Sequence, residues 1–238
     1  MNPTTTNRVA LITGGTGALG KAVVRRFLDD GAEVHVSWLV EKEKEDLRAA
    51  LGPDAVRVRL HRADVSDAAA VERLTSDVAG AGGKIHVLAN LVGGFAHAPL
   101  DQTDPAVWQK MLTMNATTAF LCCRYAVPHM RAAGWGRIVN VAAQPALGRG
   151  AANLSAYAAG KSAVLNLTYS LSQELVRDRI TVNAIVPSTI DTPANRASMP
   201  QAERAAWLAP ADIAGVIAFL CGESAAIVTG TAVNLSLG

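Results

Sequence analysis

Apolar and polar positions along the chain alternate between two periods. Arg8-Val-Ala-Leu-Ile-Thr13 is a short run rich in β-branched residues, which predicts a buried strand. Past a turn, Val23, Val24, Phe27 and Leu28 recur at helical spacing and mark one face of a helix. The same alternation continues. Strands are predicted at Glu33–Val40, Val56–Leu60 (its arginines facing solvent), Ile85–Asn90, Gly136–Val141, Ile180–Val186 and Ala232–Leu235. Helices are predicted at Glu41–Leu51, from a cap at Ser66 or Asp67 to about Ala79, at Pro105–Arg131, Leu154–Arg177 and Pro210–Cys221. Pro187 to Pro193 is expected as an irregular loop. Strands alternating with helices imply an α/β fold of Rossmann type, a doubly wound parallel sheet between two helical layers. No linker composition interrupts the pattern, so a single domain over residues 1–238 is expected.

Composition narrows the picture. A chain of 238 residues suits such a domain, and a net charge of +2 argues against a nucleic-acid binder. The polar start, Met1 to Asn7, lacks the apolar core of a signal peptide, and no uninterrupted apolar run reaches membrane-spanning length. Cys122, Cys123 and Cys221 form no CxxC pair and read as packing residues in a reducing, cytoplasmic setting.

Three places carry candidate chemistry. Gly15-x-Gly17-x-x-Gly20 sits between a strand and a helix, the context in which backbone N–H groups cradle a pyrophosphate. Gly93-Gly94 follows an apolar strand, as a plain loop or as a close approach to a ligand. Tyr157 and Lys161 are four apart in a helix and share one face. An ammonium beside a phenol lowers the tyrosine pKa, and such a tyrosine exchanges a proton with an alkoxide near neutral pH. Asn115 lies mid-helix despite poor helix propensity, held by a buried hydrogen bond or by a function. Glu41, Lys42 and Lys44 read as a solvated helix face.

Together these motifs resemble the short-chain dehydrogenase/reductase family over nearly the whole chain, from Val9 to Gly238. Thr13-Gly14-x-x-x-Ala18-x-Gly20 resembles its cofactor motif, with Ala18 where a glycine is usual. Asp64-Val65 resembles the pair beside the adenine, and Asn90-Leu-Val-Gly93 the Asn-Asn-Ala-Gly element. Pro187-Ser-Thr-Ile-Asp-Thr192 resembles Pro-Gly-x-x-x-Thr. The resemblance implies an NAD(P)-dependent oxidoreductase with Tyr157 as acid/base, assisted by Lys161 and Asn115. It implies a cofactor site of Gly14, Thr16, Gly17, Ala18, Leu19, Gly20, Trp38, Asp64, Val65, Asn90, Val92, Gly93, Tyr157, Lys161, Pro187, Ile190 and Thr192. Metal ligands are not expected.

One departure concerns the serine that the family carries after the fifth strand, as donor to the substrate oxygen. Ala143 or Gln144 stands there, so Gln144 is a candidate replacement. Dihydropteridine reductase also lacks that serine and is similar in three local stretches, Gly14–Gly20, Gly93–Ala96 and Asp191–Pro200. A small-molecule substrate is therefore expected, either a carbonyl/alcohol pair or a quinonoid dihydropterin-like ring. Loops at about 93–105, 144–156 and 188–209 would line its pocket, with Phe95, His97, Leu147, Met199 and Trp207, and with Arg149 and Arg196 as polar contacts. A cofactor-binding sensor without turnover is the alternative. Trp38 replaces the acid that would bind an NAD ribose, and Lys42 or Lys44 would reach a 2′-phosphate, so NADP(H) is favoured over NAD(H). Apolar residues on several faces of the helices at 106–131 and 154–177 imply that both are buried; the resemblance implies that the pair forms a four-helix interface with another subunit, so a homotetramer is expected, with a dimer as runner-up.

Overall fold

Seven parallel strands form the sheet, in the order β3-β2-β1-β4-β5-β6-β7. The strands are β1 Val9–Thr13, β2 Glu33–Trp38, β3 Val58–Arg62, β4 Val87–Asn90, β5 Gly136–Val141, β6 Ile180–Pro187 and β7 Ala232–Leu235. The computed structural model describes residues 7–80, 83–148, 150–199 and 204–237. The order reverses between β1 and β4, and this switch point opens a crevice at the strands' carboxyl ends.

Both faces of the sheet are covered, which is why its strands read as near-continuous apolar runs. Ala10 and Ile12 of β1 face helices α1 (Ala18–Asp29), α2 (Glu41–Leu51) and α8 (Pro210–Cys221). Leu11, between them, faces α3 (Ala68–Ala79) and α5 (Thr118–Ala133) on the other side. Helices α4 (Pro105–Leu112) and α6 (Ser155–Leu175) pack on that second side, and α6 buries Val164 and Leu165 against β6. Among the described residues no helix is long and apolar enough to cross a membrane.

Several boundaries move for identifiable reasons. The third strand starts at Val58, because Gly52–Arg57 closes into a 3-10 turn behind α2 and leaves Val56 exposed. Asp67 caps α3 by accepting from the Ala70 N–H at 2.7 Å, while Ser66 donates to Asp64. The long helix expected at 105–131 is interrupted by a π-turn, Thr113–Thr117. The loop after β6 contains a short helix, α7 (Pro193–Ser198), capped by Thr192.

Candidate active site and cofactor cleft

The glycine loop after β1 folds so that α1 begins against it. A Cβ on Gly20 would stand 2.2 Å from the Gly14 carbonyl oxygen, so only glycine lets helix and loop approach this closely. Gly17 caps α1 with no side-chain partner, which leaves first-turn N–H groups at the helix's positive end for an anionic group. Two adjoining clefts share Gly14, Thr16, Gly17, Glu43 and Leu91 in their walls. The larger, about 480 Å³, runs past Trp38 and Asp64–Ser66 to Val92 and Gly93. The second, about 370 Å³, runs along Ala18–Lys21 to Thr192 and Ala194. Uncapped N–H groups at one end and the buried, unpartnered indole N–H of Trp38 at the other suit a dinucleotide.

Asn115, Lys161 and Tyr157 all pack against Gly93-Gly94-Phe95. A Cβ on Gly93 would meet Asn115 Oδ1 at 2.9 Å and Lys161 Nζ at 3.1 Å, so both side chains close on this glycine. The Gly94 N–H donates to Asn115 Oδ1 at 3.2 Å, and Asn115 Nδ2 donates back to the Gly94 carbonyl at 3.2 Å. Asn115 Nδ2 also donates to the Met111 carbonyl at 2.9 Å. The π-turn supplies this geometry: a local extra residue re-aims one side chain, and such turns recur at functional sites. The Phe95 ring meets the Tyr157 ring edge-on, with centroids 5.0 Å apart.

A buried polar ladder fixes α6, and with it Tyr157 and Lys161, to the sheet. Thr13 Oγ1 donates to Asn90, Asn90 Nδ2 to Asn140 at 2.9 Å, and Asn140 Nδ2 to Thr168 of α6 at 2.9 Å. Asn90 therefore braces the site from beneath and is not among the residues lining either cleft.

The electrostatics differ from the expectation. Lys161 Nζ donates to the Val141 carbonyl at 2.7 Å, and burial pushes the amine down to about 8. Burial also pushes the Tyr157 phenol up to about 12, in place of the expected depression by the lysine. Loss of water penalises both charged forms, and it is the cause of both shifts.

The remaining expected site residues are placed as follows. Gln144 is exposed at the start of a 3-10 turn, and its amide donates to Asn234 of β7 at 3.4 Å, not to Tyr157. Just past the end of β5, Ala142 and Ala143 are both buried. Ile190 pairs with Leu208 and packs on the core. Pro187 ends β6 buried, and Ser188 beside it has a buried hydroxyl with no partner. Arg196 is taken up by Asp191 at 2.6 Å, so it is not a free substrate contact. Arg149 lies outside the described residues. Lys42 pairs with Asp46, and Lys44 with Glu41 and Glu45 while lying 4.5 Å from the Trp38 ring, so neither lines the clefts. The residue of this segment that does is Glu43, whose carboxylate accepts from Thr16 Oγ1 at 2.9 Å. Sequence reasoning missed it. The one signal was an acid in the first turn of the helix that follows a strand with no acid at its end.

A family profile described as short chain dehydrogenase matches residues 8–203. The chain is a short-chain dehydrogenase/reductase. Its relatives in this family include the cis-4-hydroxycyclohexanecarboxylate dehydrogenase of Sinomonas cyclohexanicum, 36% identical, with 94% of this chain and 92% of that one aligned. The D-beta-hydroxybutyrate dehydrogenase of Cupriavidus necator is 28% identical, with 97% of each chain aligned. The crystal structure of levodione reductase superposes with a TM-score of 0.88 at 32% identity, over 97% of this chain and 96% of that one. Dehydrogenases and reductases of this family use nicotinamide dinucleotides, and the protein is an oxidoreductase. Among the described residues no group of three or more His, Cys, Asp or Glu side chains is placed to hold a metal.

Proposed function

We propose that this enzyme transfers hydride reversibly between a nicotinamide dinucleotide and a carbonyl/secondary-alcohol pair, with Tyr157 handling the proton. The convergence of Asn115, Lys161 and Tyr157 on Gly93–Phe95, of which Gly93 lines the larger cleft, carries this reading. The nicotinamide supplies the hydride chemistry. Tyr157, held protonated by burial, gives its proton to the developing alkoxide in the reducing direction. Lys161, packed against the same glycine, favours the phenolate in the reverse direction when it carries its charge. Asn115 fixes the loop that carries Phe95. The cofactor residues are those of the glycine loop, Trp38, Asp64, Val65, Val92, Gly93 and Thr192, which line the clefts. Phe95 and the loops at about 93–105, 144–156 and 188–209 bound the substrate.

The two relatives are named for a ring alcohol and an open-chain hydroxy acid, which supports a secondary alcohol without selecting its skeleton. Ala143 favours a second reading, a quinonoid dihydropterin-like ring, since such a ring offers no simple ketone that needs a serine hydroxyl. The deciding experiment is a turnover panel with simple ketones, 3-oxoacyl esters and quinonoid dihydropterin. Oxidation of reduced cofactor with the pterin alone selects the second reading, and no oxidation with any carbonyl removes the first. Gln144 belongs to the same panel. If its amide turns from Asn234 to the reacting oxygen, Gln144→Ala lowers turnover at least about tenfold, because one lost donor to an oxyanion costs about 2.7–4 kcal/mol. Unchanged kinetics leave Gln144 as a link to β7.

A homotetramer is proposed on the apolar side chains left on the outer helices. Leu121, Val164 and Leu165 are buried in the chain's own core, whereas Trp108, Phe120 and Tyr169 remain 41–46% exposed. A monomeric mass by light scattering would refute assembly.

A further inference from the structure

We propose that Glu43 selects NAD(H) over NADP(H), taking from the first turn of α2 the role that the strand end, Trp38, cannot perform. The inference rests on the dinucleotide-dependent reading above and deepens it. Glu43 lines both clefts where they meet at the glycine loop. Its place there is held: the hydroxyl of Thr16, itself buried in that loop, donates to Glu43 Oε2 at 2.9 Å. The hydrogen bond orients one carboxylate oxygen toward the loop and leaves the group's remaining lone pairs available as acceptors.

The charge around it decides what those lone pairs accept. Among the described residues lining the larger cleft, the ionisable side chains are Glu43 and Asp64, both acidic. The second cleft adds one cation, Lys21, on α1. The cations nearest in sequence are committed elsewhere. Lys42 is bound to Asp46, and Lys44 to Glu41, Glu45 and the Trp38 ring. Arg62 sits 5.9 Å from that ring and is not in the cleft wall. A ribose diol offers two donors to such a carboxylate. A 2′-phosphate offers only acceptors and close to two negative charges, and it meets an acid where it needs a cation. A purely structural link between α2 and the loop would also account for the hydrogen bond, but it would treat the two cofactors alike.

The test is the ratio of dissociation constants for NADPH and NADH, measured by calorimetry on the full chain without substrate. For the wild-type protein NADH is expected to bind at least about tenfold tighter, roughly 1.4 kcal/mol. Glu43→Gln keeps the size and one hydrogen bond but removes the charge. It is expected to lower the ratio at least threefold, mainly by tightening NADPH. Glu43→Lys is expected to bring the ratio below one. Wild-type protein that binds NADPH as tightly as NADH overturns the inference. So does a Glu43→Gln protein in which both constants shift together at an unchanged ratio, the mark of a structural link. Wild-type protein that binds neither cofactor overturns the oxidoreductase reading itself, an outcome distinct from the other two.

Discussion

Adding a single methyl at Gly93 puts the arrangement of the reacting end to a direct test. Gly93 has no backbone conformation that alanine must avoid, so Gly93→Ala acts through volume alone. The new Cβ would lie 2.9 Å from Asn115 Oδ1 and 3.1 Å from Lys161 Nζ, inside normal contact for both. Neither atom is free to swing away. Asn115 is tied to Gly94 and Met111 through three hydrogen bonds, and Lys161 to Val141 at 2.7 Å. Relief therefore requires a shift of the loop, or a broken hydrogen bond that leaves a buried group unpaired at about 1–3 kcal/mol. Overpacking of this kind costs about 1–3 kcal/mol of stability. The effect on rate is expected to be larger in proportion. Displacement of catalytic groups by about 1 Å lowers turnover on the order of a hundredfold. The assay is kcat and KM beside a urea unfolding curve on the same preparation. Gly93→Ala should lose most of its kcat while remaining folded. Unchanged kcat and unchanged stability would refute the packing of Asn115 and Lys161 against this glycine.

Other outcomes follow from single features of the structure. Tyr157→Phe should lower turnover about a hundred- to ten-thousandfold, with little change in the dissociation constant for reduced cofactor. Near-normal turnover would refute the proton-transfer role. Gly215, inside α8, would place a Cβ 3.6 Å from one Arg26 nitrogen, an ordinary contact, so Gly215→Ala should stabilise the fold by about 0.5–1 kcal/mol in urea unfolding. Alkaline pH should destabilise the protein. Burial pushes Cys123 and Cys221 up to about 12 and Cys122 higher still, whereas unfolded thiols ionise from about 8.5. The folded state then holds more protons, and each thiol removes up to about 1.4 kcal/mol per pH unit above that point. Lys161, pushed down to about 8, runs the other way up to about 10.4 and offsets one thiol. Unfolding at pH 9 and 10 should show the decline, and Cys221→Ala should flatten it by about one thiol's share.

The serine-free end of β5 ties the substrate question to the cofactor question. Ala143 carries no hydroxyl and Gln144 is turned to Asn234, while Tyr157 stands beside Phe95 as a donor to a reacting oxygen. A ketone then relies on Tyr157 or on a rearranged Gln144. Substrate trials should therefore be run with both cofactors, since a mismatched cofactor would mimic an inert substrate.

The sequence by itself determined the alternation of strands and helices, the family and the motif residues. Each is written in local signals: period, glycine spacing, and a Tyr and Lys one helical turn apart. It could not show the ladder from Asn90 through Asn140 to Thr168, because that depends on which strands become neighbours across the switch point. It could not show the π-turn at Asn115, because one extra residue leaves the helical pattern almost unchanged. Spacing alone does not give the tyrosine pKa, since desolvation depends on what the rest of the fold packs around the phenol. Glu43 was hidden among Glu41, Lys42, Lys44 and Glu45, a run that reads as a solvated surface. Only the docking of α2 beside the glycine loop separates the one carboxylate that meets Thr16 from the four charges that pair along the helix.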